Sequence, residues 1–457
     1  MKNTIFAPVI PPINGPDTSA TDLNIAENTA PPRIVGTAEG DLLTGTAVGE
    51  IIQGFRGADE ILGIGGDDTI AGGDGADTLD GGEGDDVVSY VRSREGVTID
   101  LGAGVATGGH AEGDVLSGFE SVRGSEFDDI LTGDAADNRL IGRAGDDTLN
   151  GGDGNDILNG GRGADLMVGG DGFDRVSYFG ATQQVIINTR NDMFSRAAEG
   201  DRFVSIEAVM GSGFADSIVL GDANNRIFGA GGNDFLDAGL GSDTLIGGEG
   251  ADFMHGSDGS DTAIYRGSDA GININMTGGL NTGGHAQGDV LSAIENVRGS
   301  LFDDTIAGNI LANDLRGLDG NDILTGRAGS DKLTGGAGED AFVFLELSDH
   351  VSQTQSDTDA IGRYAGDTAD LIRDFDRNED SLMLASTAFS GSVFNTNTIA
   401  DLNLNSPDDS AFAFTGSDLF YLRYASAAEF STGLVEVTHL ATLRGVNMLD
   451  DSDLSWL

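Results

Sequence analysis

A nine-residue phrase, repeated in register, constrains this chain more than any other feature. The stretch "GDDTLNGGDGNDILNGGRGAD" from Gly145 to Asp165 sounds it almost three times: clustered glycines, an acid at the sixth position and an aliphatic at the eighth. Counted from Gly36, six units cover 36–89, six cover 124–177, six cover 211–264 and five cover 299–343, making 23. The eighth position is apolar in all 23, from Leu43 through Leu149 and Leu245 to Phe342. The sixth is Asp41, Asp59, Asp68, Asp77 and Asp86 in the first block and Asp129, Asp147, Asp156, Asp165 and Asp174 in the second. It is Asp216, Asp234, Asp243, Asp252 and Asp261 in the third and Asp304, Asp322, Asp331 and Asp340 in the fourth. Glu50, Asn138, Asn225 and Asn313 take that place in the second unit of each block. A fixed period of this kind signals a repeat architecture.

One aliphatic in nine residues cannot make an amphipathic helix, which needs three or four apolar residues per two turns. A Gly-rich sextet followed by a dipeptide such as Thr148-Leu149 reads instead as a tight turn and a very short strand. Two units then form one coil, with two strands facing each other across a thin core, and stacked coils pair as parallel strands about 4.8 Å apart. The expected fold is all-β: a parallel β-roll, or β-solenoid. Position 8 points inward, and each position-6 acid sits beside the one two units on, as Asp147 does beside Asp165.

That stack needs help. Two carboxylates about 5 Å apart repel by roughly 3 kcal/mol at an effective dielectric near 20. Ordering nine backbone residues costs on the order of 9–18 kcal/mol, against about 1.5–3 returned by one buried Leu. Hydrogen bonds add roughly 1 kcal/mol net each and leave the gap open. The ligands on offer are carboxylates and loop carbonyls, hard oxygens that select Ca²⁺ over softer metals. Glycine permits the positive backbone angles that aim successive carbonyls at one ion. We therefore expect multiple Ca²⁺ ions, with the 19 position-6 aspartates as ligands.

A longer period overlies the short one. Blocks begin at Gly36, Gly124, Gly211 and Gly299, and "TGGHAEGDVLSGFESVRGS" at 107–125 matches "TGGHAQGDVLSAIENVRGS" at 282–300, the mark of a duplicated module. The spacers 90–123, 178–210 and 265–298 read either as continuations of the roll or as protruding loops that bind a surface or partner. "GVTIDL" at 96–101 and "GININM" at 271–276 alternate like strands and favour the first. Asp114, Asp201 and Asp289 sit at matching places in the spacers and read as turn-forming acids, with extra ligands the sharper alternative.

Composition closes other routes. Asp and Glu outnumber Lys and Arg by 76 to 24, a formal charge of -52, which excludes a general nucleic-acid binder and predicts self-repulsion unless cations bind. There is no Cys for disulfides or thiolate metal sites. No stretch approaches the roughly 18 apolar residues of a membrane span. Residues 1–35 hold six of the seven prolines, make a poor secretory signal and read as an extended, mostly disordered leader, with a cap on the first repeat as the alternative. Residues 344–457 lose the period and gain apolar strands such as "LFYLRYA" at 419–425, read as a small, mainly antiparallel β-cap over the roll's open edge. Asp370, Asp374 and Asp376 there read as solvated turns or one further Ca²⁺ site.

"GGDGNDILN" at 151–159 and its siblings resemble the repeats-in-toxin (RTX), or hemolysin-type, calcium-binding repeats across 36–343. The resemblance implies a β-roll with Ca²⁺ between adjacent turns, held by position-6 carboxylates and loop carbonyls. "DAFVF" at 340–344, "DLIRDFDRNEDSLML" at 370–384 and "LRGVNMLDDSDLSWL" at 443–457 are similar to the end of serralysin-type secreted proteases, whose protease domain has no counterpart here. In that family this region caps the roll and carries an uncleaved signal, which implies type I secretion machinery as a partner and an extracellular location.

Catalysis finds no support. No pair among His110, His255, His285, His350 and His439 has the His-Glu-x-x-His spacing of a zinc protease. Paired carboxylates occur everywhere and so specify nothing. "GGNDFLDAG" at 231–239 imitates a dinucleotide fingerprint without the alternating strands and helices that motif needs. The expectation is a secreted, non-enzymatic, calcium-dependent β-roll with a structural or surface-associated role, by self-assembly or at a cell surface. An adhesin acting through its spacers and an accessory to a separate enzyme are the rivals.

Overall fold

The computed structural model describes residues 31–343 with their side chains, and Phe344 and seven short strands between Asp370 and Trp456 by backbone alone. Among the described residues the only helices are the three-residue 3₁₀ turns Gly109–Ala111 and Gly284–Ala286, and no helix is long and apolar enough to cross a membrane. Everything else regular is strand. The chain divides into two compact units: one reaches Ser177 and includes Ala198–Ile206, the other holds Tyr178–Ala197 and the chain from Glu207 onward.

Each unit is a parallel β-solenoid. In the first, Ile51–Arg56 pairs with Thr69–Asp74 in a register that sets Ile52 beside Ile70, and Thr148–Asp153 pairs with Leu166–Asp171, setting Leu149 beside Met167. In the second, Arg226–Gly231 pairs with Thr244–Glu249, setting Ile227 beside Leu245. Like thus stacks on like two repeats away. Of the 23 eighth positions, 22 have no solvent exposure, and Leu43 in the outermost repeat is half-buried. Each fully buried Val, Leu, Ile, Met or Phe among them contributes roughly 1.5–3 kcal/mol, and the core is a column one side chain deep on each wall.

The turns are tight because their backbones stack. Gly152 and Gly170 hold φ of +114 and +122, and a Cβ on Gly170 would collide with the Gly152 carbonyl. Left-handed angles at close approach are where only glycine fits well.

The spacers feed the same ladders. Val115–Ser117 pairs parallel with Thr78–Asp80, and Ser121–Arg123 lies between Val87–Ser89 and the start of Arg139–Ala144. Between them Thr98–Asp100 and Val105–Thr107 form an antiparallel excursion. In the second unit Val290–Ser292 pairs with Phe253–His255 and Asn296–Arg298 with Thr262–Ile264, the same plan. The ladder starts at Arg33–Val35, paired with Ile51–Arg56, inside the stretch read as leader; residues 1–30 lie outside the described residues. Beyond the repeats, Ser381–Leu384 continues the parallel ladder from Ala341–Phe344, and Ser410–Thr415, Asp418–Arg423 and Glu436–Leu443 form an antiparallel meander. Asp374 and Asp376 lie outside the described residues, and only the backbone of Asp370 is described.

Candidate metal centre

The sixth-position aspartates are buried, 18 of the 19 at 3% exposure or less. One oxygen of each carboxylate is used by the backbone. The Asp147 N–H donates to Asp165 Oδ1 at 2.9 Å, the Asp129 N–H to Asp147 Oδ1 at 2.8 Å and the Asn138 N–H to Asp156 Oδ1 at 2.7 Å. The second unit repeats the pattern, with Asp216 N–H on Asp234 Oδ1 at 2.8 Å and Asp304 N–H on Asp322 Oδ1 at 2.8 Å. Two columns of carboxylates therefore run along each solenoid, and beyond Asp41, which Thr37 of its own turn holds, the carboxylates are fixed by the coil before them.

The other oxygen decides the chemistry. Oδ2 of Asp59, Asp68, Asp77, Asp86, Asp147, Asp156, Asp165, Asp234, Asp243, Asp252, Asp261 and Asp322 is buried and accepts no hydrogen bond. A charged oxygen left so costs several kcal/mol unless it is neutralised or meets a cation. Glycine at position 1 makes the room: a Cβ on Gly151 would collide with Asp156 Oδ2 and reach within 2.7 Å of the Gly169 carbonyl.

Asn225 shows what else converges there. Where this amide replaces the acid, its Nδ2 donates to the carbonyls of Ala223 at 2.7 Å, Ala238 at 3.1 Å and Gly221 at 3.3 Å. The positively polarised amide stands in for a cation among three carbonyl oxygens, drawn from two stacked turns. Asn313 Nδ2 likewise donates to the Glu295 carbonyl at 2.9 Å. Carboxylate and carbonyl oxygens from two coils form a donor set suited to Ca²⁺. Among the described residues no three His, Cys, Asp or Glu side chains cluster for a metal, so carbonyls are essential to any such site.

Not every predicted ligand has a free oxygen. In the first repeat of each block the second oxygen is taken: Asp129 Oδ2 accepts the Ser125 N–H at 2.6 Å, Asp216 Oδ2 that of Ser212 at 2.6 Å, and Asp304 Oδ2 that of Ser300 at 2.6 Å. Thr37 does the same for Asp41. Asp114, Asp201 and Asp289, read as turn-forming acids, are instead members of the ladder. Their Oδ1 atoms accept the N–H of Asp77 at 2.8 Å, Asp165 at 3.0 Å and Asp252 at 2.8 Å. The sequence reading missed this because they follow at 36 or 37 residues, not at the repeat spacing. The Tyr90 hydroxyl donates to Asp114 Oδ2 at 3.0 Å and the Tyr265 hydroxyl to Asp289 Oδ2 at 2.9 Å, so the protein itself satisfies Asp114 and Asp289.

Electrostatics separates these environments less than hydrogen bonding does. Burial, opposed by the backbone N–H and reinforced by neighbouring carboxylates, raises Asp147, Asp156, Asp165 and Asp322 to about 7 and Asp234 to about 8. Asp68 and Asp243 rise to about 6 for the same first reason. Such a column is at odds with its own charge near neutrality.

A second ladder, at position 5, went unread. Asp128 Oδ1 accepts the Asp146 N–H at 2.9 Å, Asp137 Oδ1 the Asn155 N–H at 2.7 Å and Asn233 Oδ1 the Ala251 N–H at 2.9 Å. Its signal, Asp or Asn before the sixth-position acid in "GDDTL" and "GNDIL", was present. Two of the histidines lie beside polar neighbours: His110 Nε2 is 2.8 Å from Asp74 Oδ1, and His255 Nδ1 is 3.1 Å from Ser292 Oγ.

Fold and site together define a class: a parallel β-roll whose stacked turns present carboxylate and carbonyl oxygens to a cation. The sequence profile of the RTX calcium-binding nonapeptide repeat matches residues 51–88, 116–149, 141–176, 210–245, 231–263 and 308–342. The chain carries RTX calcium-binding nonapeptide repeats, wound as a parallel β-solenoid. Among curated proteins, no sequence matches it.

Proposed function

We propose that the chain is a calcium-dependent structural protein that is exported unfolded and wound into its roll by Ca²⁺ outside the cell. The observation that carries this is the row of buried Oδ2 atoms, from Asp59 to Asp322, without a hydrogen-bond partner. Ca²⁺ would supply the positive charge these oxygens need. The position-6 aspartates would hold it, with loop carbonyls equivalent to those of Gly221, Ala223 and Ala238. The acids already satisfied by Ser125, Ser212, Ser300 and Thr37 would act as the fixed first rungs of their blocks.

Charge couples folding to location. With a formal charge of -52 and a thin core, the calcium-free chain is self-repelling. Extracellular-type sites bind at about 10⁻⁴–10⁻³ M, far above cytosolic free Ca²⁺, so the chain stays unwound inside and folds outside by mass action. Residues 344–457 would cap the roll and carry a type I secretion signal, residues 1–35 would lead it, and the spacers would continue it. The RTX roll is a non-catalytic repeat fold, and we assign the chain a structural or surface-associated role. Far-UV circular dichroism tests the folding claim. Excess chelator should leave little β signal, and millimolar Ca²⁺ should restore it cooperatively where Mg²⁺, with its stricter octahedral demand, does not. A β signal unchanged by chelator refutes it.

A further inference from the structure

Cations are scarce in this chain, yet several gather on one patch of the first unit. A cavity of about 470 Å³ opens there, within the range of small-molecule sites. Ile51, Phe55, Tyr90 and Val91 give it apolar walls, and Arg56, Arg92 and Arg94 line it with positive charge. Phe55 is 43% exposed, at a repeat position that is glycine in Gly73, Gly152 and Gly170. One acid lines the cavity, Asp74, and it is already engaged by Arg56 at 3.3 Å and His110 at 2.8 Å. Arg92 and Arg94 are exposed and enter no ion pair among the described residues.

The duplicated module supplies an internal control. The turn after Tyr265 is built like that after Tyr90: Ser93 Oγ donates to the Glu95 carbonyl at 2.7 Å and accepts the His110 N–H, and Ser268 Oγ donates to the Ala270 carbonyl at 2.7 Å and accepts the His285 N–H. Yet Gly267 and Asp269 stand where the first copy has Arg92 and Arg94. The turn therefore does not need the arginines. The positive patch also extends along the sheet. Ser121–Arg123 joins Val87–Ser89 to Arg139–Ala144, and because Val122 and Leu140 face the core, Arg123 and Arg139 flank them on the outer face. Burial first, then the neighbouring guanidiniums of Arg123 and Arg175, hold Arg139 below its ordinary value.

We infer that this cavity is a binding site for a carboxylate carried on a ring, the carboxylate paired with Arg92 and Arg94 and the ring seated against Phe55 and Val91. Guanidinium forks pair with carboxylates bidentately, and a largely apolar pocket with a few fixed charges suits such a ligand. The site goes beyond the calcium reading. It is tested on the full chain in saturating Ca²⁺ by calorimetry and ligand-observed NMR, with benzoate, its neutral isostere benzamide, and a hyaluronan octasaccharide as probes. Benzoate or the octasaccharide should bind, benzamide should bind at least about tenfold more weakly, and R92A/R94A should weaken binding by about tenfold or more. Benzoate binding that R123A/R139A leaves unchanged assigns the site to a free small acid. Octasaccharide binding that R123A/R139A also weakens assigns it to an acidic polysaccharide. Absence of binding by both probes at about 10 mM, equal binding of benzamide, or indifference to R92A/R94A overturns the proposal. The circular dichroism of R92A/R94A in Ca²⁺ should match the parent, which separates failure of this site from failure of the calcium reading.

Discussion

Tyr90→Phe isolates the acids that the protein satisfies from those left to a cation. Tyr90 and Asp114 are each 2% exposed, and the hydroxyl donates to Asp114 Oδ2 at 3.0 Å while Asp114 Oδ1 holds the Asp77 N–H at 2.8 Å. Removing the hydroxyl leaves one oxygen of a buried carboxylate without its donor, which costs about 1.5–3 kcal/mol for a bond to a charged group. Burial, with Asp77 nearby, sets Asp114 at about 7, so the assay belongs at pH 8, where the carboxylate is charged. The penalty falls on the spacer coil, so native-state hydrogen exchange at the Asp77 amide reads it locally. That amide should exchange about 10- to 150-fold faster in the variant, in saturating Ca²⁺ as well as at lower Ca²⁺. Tyr265→Phe should do the same at the Asp252 amide, held by Asp289. A change below about threefold, or one that vanishes when Ca²⁺ is raised, would refute the claim that tyrosine does here what a cation does in the repeats.

Asp156→Asn keeps an oxygen for the Asn138 N–H but removes a charge beside a carbonyl cluster, so calorimetry should count fewer bound Ca²⁺, whereas Ser125→Ala should cost about 1 kcal/mol and leave the count unchanged. Gly151→Ala puts a methyl into Asp156 Oδ2 and should cost about 2 kcal/mol or more, seen as a higher Ca²⁺ midpoint; Gly213→Ala, with open space around it, should be silent. The pH trend has a definite sign. Asp147, Asp156 and Asp165 are raised from 3.8 to about 7, so protonation stabilises the calcium-free roll below about 4, and that contribution is lost as pH rises through 7. Chelated protein should therefore show more β signal at pH 5 than at pH 8, and its Ca²⁺ midpoint should rise as protons compete below pH 7; the reverse trend would contradict the burial of these acids. Deleting 443–457 should trap the chain in the producing cell while sparing the Ca²⁺ response, and undiminished secretion would place the signal elsewhere.

The roll was legible because its period is local. A residue at position 8 that is apolar 23 times out of 23 leaves one inward face, and the register of Leu149 on Met167 follows from stacking equal coils. The candidate ligands were legible as a set but not as individuals. Nothing in the spelling of Asp129 or Asp147 reveals that Ser125 reaches one second oxygen and nothing reaches the other. That distinction depends on a side chain four residues away and on the stacked coil. Asp114 and Asp289 escaped because an excursion of chain lies between them and the rungs they complete, so sequence distance no longer measures position along the solenoid. The arginine-lined cavity escaped for the same reason: Arg56 and Arg92 belong to different coils, and only the ladder brings them together.

Long-wavelength diffraction from crystals grown in Ca²⁺ tests the central claim most directly. Anomalous peaks should lie about 2.3–2.6 Å from Oδ2 of the repeat aspartates that lack a donor, Asp59, Asp147, Asp156, Asp234 and Asp322 among them. The second oxygens of Asp114 and Asp289 should keep their tyrosines, and those of Asp129, Asp216 and Asp304 their serines, with no peak beside them. A folded roll with no peaks along its columns of aspartates would contradict the account.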